Sequence, residues 1–257
     1  MKHMNRLVLT ILSAVLMAPA RPAAAQPPSD GSWRFQITPY FWAPGVKGSV
    51  QIQQLPELKV EIPFSDIISN FDIGFLGRFE GRKGDLGLAT DVLYMNLGVP
   101  FAPDQPRIST LEPQIDIRQF IGEGIGFYRM QHSADFERAY VDVLVGARYL
   151  RLHNEIDTIK GDTIGSSSNW VDLIGGLRGR APLASWAALL ARGDIGGLGS
   201  KLSYNLEGSL DLKISKRWTL GAGYRYLHYD FETDQGLNRR AAKLAIAGPL
   251  VKATFTY

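Results

Sequence analysis

Acidic and basic residues recur at even separations in several short stretches, and that spacing limits what they can do. Arg78 and Glu80 are two apart, as are Arg192 and Asp194, while Asp142 and Arg148, like Asp172 and Arg178, are six apart. In an extended chain, even separations put side chains on one face. Arginines and carboxylates sharing a face can lock into ion pairs, or they can set a field that selects small solutes in a narrow pore. The set comprises Arg78, Glu80, Asp91, Asp142, Arg148, Asp172, Arg178, Arg192, Asp194, Glu207, Asp211 and Arg225, with Asp116, Arg118 and Lys213 beside them. Hydrolysis would instead need a base beside a nucleophile or an activated water. Past the first 25 residues the histidines are His132, His153 and His228, with Asp230 on the same strand face as His228 and serines in "GSSSN". No G-x-S-x-G elbow accompanies them. No histidine or carboxylate cluster has metal spacing. The glycine-rich "GGLGSK" and "GIGFYRMQ" lie on no strand–helix junction that could cradle a phosphate. No cofactor and no metal are therefore expected.

The elements carrying these residues show period two. In 201–214, Leu202, Tyr204, Leu206, Leu210, Leu212 and Ile214 oppose Ser203, Asn205, Glu207, Ser209, Asp211 and Lys213. Segment 217–229 follows after "SK" and sets Trp218, Leu220, Ala222, Tyr224 and Tyr226 against Arg217, Thr219 and Arg225. Stretches 71–82, 85–96, 138–151, 169–180 and 184–196 repeat the scheme. Each has about the 9–11 residues with which a tilted strand crosses a bilayer. Two stretches are irregular. In 112–129 the alternation loses phase around "GEGIG", which suggests a bulge or glycine bend. In 33–54 the apolar parity switches after "APG", from Trp33, Phe35, Ile37 and Phe41 to Val46, Val50 and Ile52. That segment is either one bent strand with a bulge or a hairpin. The connections alternate short and long, as in outer-membrane barrels. The expected fold is all-β: an antiparallel transmembrane β-barrel of about ten strands, with twelve or eight as alternatives. The loop "VEIPFSDIISNF" is expected to be a plain surface loop, with a helical turn over the barrel mouth as the second choice.

The first residues differ from the rest. "MKHMNR", the apolar "LVLTILSAVLM" and the small-residue "ARPAAAQ" have the layout of a secretory signal peptide. Cleavage is expected between Ala25 and Gln26, leaving 26–32 as a short periplasmic segment and 33–257 as the barrel. Removing 1–25 takes away Lys2, Arg6 and Arg21 and no acid, so the formal +3 of the whole chain disappears. A neutral product gives no argument for a nucleic-acid partner. The chain has no cysteine, so no disulfide framework is available.

"WRFQITPYFWAPGVKG", "FSDII", "FEGRKGDLGLATDVLYMNL", "VGARYLRL", "GYRYLHYDF" and the final "GPLVKATFTY" resemble proteobacterial (Gram-negative) outer-membrane β-barrels of the OmpA/OmpX-like or porin-like kind. The resemblance implies outer-membrane location, with lipid and lipopolysaccharide as surroundings. It implies insertion by the barrel-assembly machinery with periplasmic chaperones, and a monomer; it carries over no catalytic residue. Phe255 and the terminal Tyr257 resemble the aromatic assembly signal of such barrels, usually a phenylalanine. The functional expectation is a structural or narrow-channel role. The alternative is a lipid or peptide hydrolase at the extracellular rim near His228 and Asp230.

Overall fold

A computed structural model describes residues 31–52, 58–69, 71–100, 114–130, 139–157, 163–233 and 240–257. The leader and the Ala25–Gln26 junction lie outside these residues, as does His132. In chain order the elements are β1 (Trp33–Trp42), β2 (Gly45–Ile52), β3 (Leu58–Ile62), the helix α1 (Phe64–Ser69) and β4 (Phe71–Lys83). There follow β5 (Leu86–Pro100), β6 (Gln114–Arg129), β7 (Tyr140–Asp157) and β8 (Thr163–Ala184). The last are β9 (Ala187–Gly197), β10 (Leu202–Lys213), β11 (Trp218–Thr233) and β12 (Arg240–Thr256). Strands β4 to β12 lie side by side in chain order, and β1 pairs with both β4 and β12. The result is a closed antiparallel barrel of 10 strands, with β2 and β3 as a hairpin against the far half of β12. Closure satisfies the backbone groups that an open sheet edge would leave bare in hydrocarbon.

The switch of parity after "APG" is not a bulge. Trp42 faces Leu250 and Gly45 faces Ala247, three residues further along both strands, so β1 and β2 run along β12 in one register. Ala43 and Pro44 only interrupt the ladder, and the Ala43 N–H still donates to the Pro249 carbonyl at 2.9 Å. Nor is there a bulge at "GEGIG": β6 stays in step with β5 from Leu86–Tyr128 to Pro100–Gln114, and with β7. Both irregularities have the same cause. The interior is polar at one level and apolar at another, so apolar side chains change faces while the backbone keeps its phase. Trp42 and Val46 both point inward, as do Ile121, Glu123, Ile125 and Phe127.

The outside is apolar. Ile37, Phe75, Phe79, Leu88, Val145, Leu173, Leu177, Ile195, Leu206, Leu220 and Val251 are exposed. Trp33, Trp186 and Trp218 are exposed at one end, and Tyr226 stacks on Tyr204 toward the other. From Trp218 to Tyr226 is nine residues of β11, the length a tilted strand needs to cross hydrocarbon. Beyond Tyr226 the outward side chains become charged, in the pairs Asp230–Lys243, Lys201–Glu232 and Lys47–Glu61. A belt of this kind belongs in a bilayer, flanked by interfacial aromatics. Tyr40, Trp42 and Trp170, by contrast, lie inside the barrel.

The turns at the Trp218 end are tight. Gly84 takes a φ of +61°, a left-handed conformation that costs glycine nothing. At the β10–β11 turn the Ser215 hydroxyl accepts from the Trp218 N–H at 3.1 Å. Both ends of the described chain meet at this same end: the Tyr257 N–H donates to Phe35 O at 2.9 Å, and the Phe35 N–H to Tyr257 O at 3.1 Å. Phe255 packs on Trp218 there, ring centroids 5.0 Å apart.

Candidate functional site: the barrel interior

Period two turns one face of every strand inward, and the register aligns charges of opposite sign across neighbouring strands. Arg78 on β4 stands opposite Asp91 on β5, Glu123 on β6 opposite Arg148 on β7, and Arg148 opposite Asp172 on β8. Arg192 on β9 faces Glu207 on β10, which faces Arg225 on β11. The central group joins four arginines to four carboxylates. Arg78 donates to Asp91 and Glu207, both at 2.9 Å, and Arg148 to Glu123 at 2.7 Å and Asp194. Arg192 reaches Glu123 and Asp194 at 2.7 Å, and Arg225 approaches Asp91 and Glu123. Neutral groups complete it. The Tyr40 hydroxyl donates to Asp91 at 2.7 Å, and the Arg225 Nε donates to Asn205, whose amide donates to Asp194 at 3.0 Å.

A second group lies toward the short-turn end. Arg129 and Arg178 share Asp142, at 2.8 and 2.7 Å, and Arg178 also reaches Glu80. Arg129 packs over the Tyr140 ring at 3.6 Å. Asp211 pairs with Lys252 at 3.2 Å, and Gly221 makes that possible, since a Cβ there would sit 2.5 Å from the Asp211 oxygen. Asp172 has a different task. It accepts from the N–H groups of Gly199 and Ser200 and from the Ser200 hydroxyl, at 3.1, 2.6 and 2.7 Å, and so holds the β9–β10 turn. Of the residues set apart by their spacing, ten meet in the two ion-pair groups, while Asp211 and Asp172 serve separately. Asp116 has no described side chain. Arg118 is exposed, on the outward parity of β6.

Glu123 and Arg129 are central to this interior yet do not stand out in the sequence. Glu123 sits where phase seems lost, between inward Ile121 and Ile125. The signal that would have found it is the unbroken odd parity from Ile121 to Arg129, which only makes sense if the interior has an apolar level.

That level lies above the central group. Trp42, Leu93, Met95, Ile121, Leu150, Leu227, Tyr229, Ile246 and Leu250 form one buried cluster inside the barrel. Ile67 of α1 is 3 % exposed and completes it. The segment expected as a surface loop therefore carries a helical turn that drives an isoleucine into the barrel mouth. Trp170 packs on Phe231 at 4.4 Å beside this cluster. Below the central group, toward the short turns, a cavity of about 280 Å³ remains.

The two described histidines, His153 and His228, face away from the interior. His228 stacks on Tyr204 at 4.8 Å on the outer surface, and Asp230 turns to Lys243 at 3.7 Å on the next strand. His153 is placed instead against one of the "GSSSN" serines, its Nδ1 2.6 Å from the Ser167 hydroxyl.

No known family model matches the chain, and no curated protein matches it. Among solved structures it is similar to the translocator domain of the autotransporter NalP from Neisseria meningitidis, at 12% identity and a TM-score of 0.43 over 99% of this chain and 95% of that one. It is also similar to Ail, the attachment invasion locus protein of Yersinia pestis, at 11% identity and TM-score 0.35, over 88% and 98%. Neisserial surface protein A follows at 13% identity and TM-score 0.32, over 86% and 95%. At these scores none of them bears on what this chain does.

Proposed function

We propose that this chain is an outer-membrane β-barrel of the OmpA/OmpX-like or porin-like kind, with a structural role and an interior closed by its own side chains. In this reading it is exported by a signal peptide cut after Ala25 and inserted as a monomer by the barrel-assembly machinery. Lipopolysaccharide and lipid surround it, and Phe255 and Tyr257 supply the assembly signal. The observation that carries the closed interior is the central group of four arginines and four carboxylates, roofed by the apolar cluster and Ile67. Opening a water path there would expose charges that are now paired and pull apart a dry cluster. Small barrels are commonly filled in this way. The test is planar-bilayer recording with the folded, heat-modifiable protein from outer-membrane fractions. Silence across voltages is expected. A steady unitary conductance from the wild type would overturn the closed interior and favour a narrow channel.

A further inference from the structure

The outer wall holds a base beside a nucleophile, and not at the histidine that the sequence singled out. The His228 ring stacks on Tyr204, its Nδ1 has no hydrogen-bond partner among the described residues, and Asp230 turns to Lys243. His153 instead has its Nδ1 2.6 Å from the Ser167 hydroxyl. Register makes this contact: His153 on β7 stands directly opposite Ser167 on β8, and both lie on the outward parity. Ser167 is exposed and His153 half-buried, so the hydroxyl is open to a substrate. Arg118 stands opposite His153 on β6, and Asn169 lies one outward step from Ser167. Both carry N–H donors of the kind a developing oxyanion needs. The level of the pair limits what reaches it. Toward the belt, the outward positions of these two strands are Arg151 and Asn169, then Tyr149 and Val171, then Ala147 and Leu173. Val171 and Ser167 are four residues apart, about 13 Å along the strand and about 10 Å along the membrane normal at the usual tilt. The headgroup layer on each side of the hydrocarbon is roughly 5–8 Å deep. The pair therefore stands at its outer edge, clear of the chains.

We infer that Ser167 and His153 form a nucleophile–base pair that hydrolyses carboxylic esters whose carbonyl stands clear of the hydrocarbon, in a soluble ester or a single-chain amphiphile. The ring proton is on Nε2, so that Nδ1 accepts from the Ser167 hydroxyl. Ser167 Oγ bonds to the ester carbonyl carbon as its proton passes to Nδ1. Collapse of the tetrahedral adduct breaks the ester C–O bond, and the imidazolium gives that proton to the leaving alcohol. Water then attacks the acyl–serine while Nδ1 takes a proton from it. The carboxylic acid departs, and the proton returns to Ser167 Oγ. Nothing besides water and the ester is consumed. The pair lies on the outer wall, so it does not depend on whether the interior is closed.

The test uses the folded, heat-modifiable barrel in a neutral maltoside detergent. The soluble substrate is p-nitrophenyl butyrate, and lysophosphatidylcholine is the single-chain amphiphile. Dioleoylphosphatidylcholine vesicles holding the reconstituted barrel supply the diacyl arm. A fluorophosphonate reports the nucleophile independently of turnover. The wild type should hydrolyse one or both of the first two substrates, and peptide mapping should find the fluorophosphonate on Ser167. Ser167→Ala should abolish labelling and bring turnover down to the background rate. His153→Ala should lower both by about a hundredfold or more. Ser168→Ala, on the inward parity of the same strand, should change neither. Heat-modifiable migration checks that each variant is folded. Turnover of p-nitrophenyl butyrate alone supports the pair with a soluble ester as substrate, and turnover of the lysolipid supports it with an amphiphile. A preference for the diacyl lipid overturns the substrate class. Absence of turnover with all three substrates overturns the inference outright, as does activity that Ser167→Ala leaves intact.

Discussion

Two levels of the same barrel are filled by opposite means. At the centre, Arg78, Arg148, Arg192 and Arg225 are held by Asp91, Glu123, Asp194 and Glu207, and Arg148 and Glu123 have no exposed side-chain surface. One strand-width above, Leu93, Leu227, Ile246 and Leu250 fill the space with hydrocarbon. Leu227 lies two residues from Arg225 on β11, and Leu93 two from Asp91 on β5, so neighbouring inward positions differ completely in chemistry. The apolar level gains from leaving water and asks for no specific partner. The charged level must recover a desolvation cost through geometry, and it does so only as a complete set. Its parts are therefore less dispensable than those of a layer that stabilises as much in total.

The largest effect should follow from removing one member of that set. Glu123→Ala takes the carboxylate from Arg148, Arg192 and Arg225 together. A broken buried ion pair typically costs about 3–5 kcal/mol, because the remaining charge is left without compensation. The urea midpoint of the refolded barrel in micelles should drop accordingly. A change of under about 1 kcal/mol would show that water already reaches these arginines.

The apolar level should be more forgiving. Leu227→Ala removes a fully buried side chain, a change that costs about 2–5 kcal/mol in soluble cores. The lower end is expected, because Ile67 lies on a six-residue helix at the mouth that can settle into the space. The cost of a cavity depends on how well its surroundings collapse. Thermal loss of heat-modifiable mobility reads this out. A loss larger than that of Glu123→Ala would reverse the ranking of the two levels.

The comparison also explains which parts of the molecule were legible in the chain. Strands such as β10 and β11 alternate cleanly because their inward side chains are polar nearly throughout, from Ser203 to Asp211 and from Thr219 to Arg225. Where an inward face crosses from the polar level to the apolar one, the pattern turns ambiguous with no change in the backbone. This happens between Tyr40 and Val46, and again around Glu123, whose inward neighbours Ile121 and Ile125 belong to separate apolar clusters on either side of the central group, and in both places a regular strand looks broken. The helical turn at Phe64–Ser69 was obscure for another reason. Six residues are too few to show a 3.6-residue period, and Ile67 is fixed by what it packs against. The ion pairs follow from register, which alternation alone does not set.

The smallest effect concerns the same chemistry without burial. Lys47 and Glu61 pair at 2.6 Å across the β2–β3 hairpin, above the apolar belt, and both side chains are largely in solvent. Their hydrogen bond holds the Lys47 amine above its ordinary value and the Glu61 carboxyl below its own. The sign of the linkage is fixed by these directions. The carboxylate contribution is present above the unfolded glutamate range and is lost as pH falls through the lowered folded value. The amine contribution is present below the unfolded lysine range and is lost as pH rises through the raised one. Between these ranges the pair is intact, yet exposed pairs with mobile side chains contribute little and are screened by salt. Glu61→Gln should therefore leave the urea midpoint unchanged between pH 5 and pH 8, at low salt and at high salt. A clear loss at neutral pH that salt abolishes would mean that the hairpin pins the barrel mouth through this contact. Exposed and buried pairs would then be closer in weight than the central group and its apolar roof suggest.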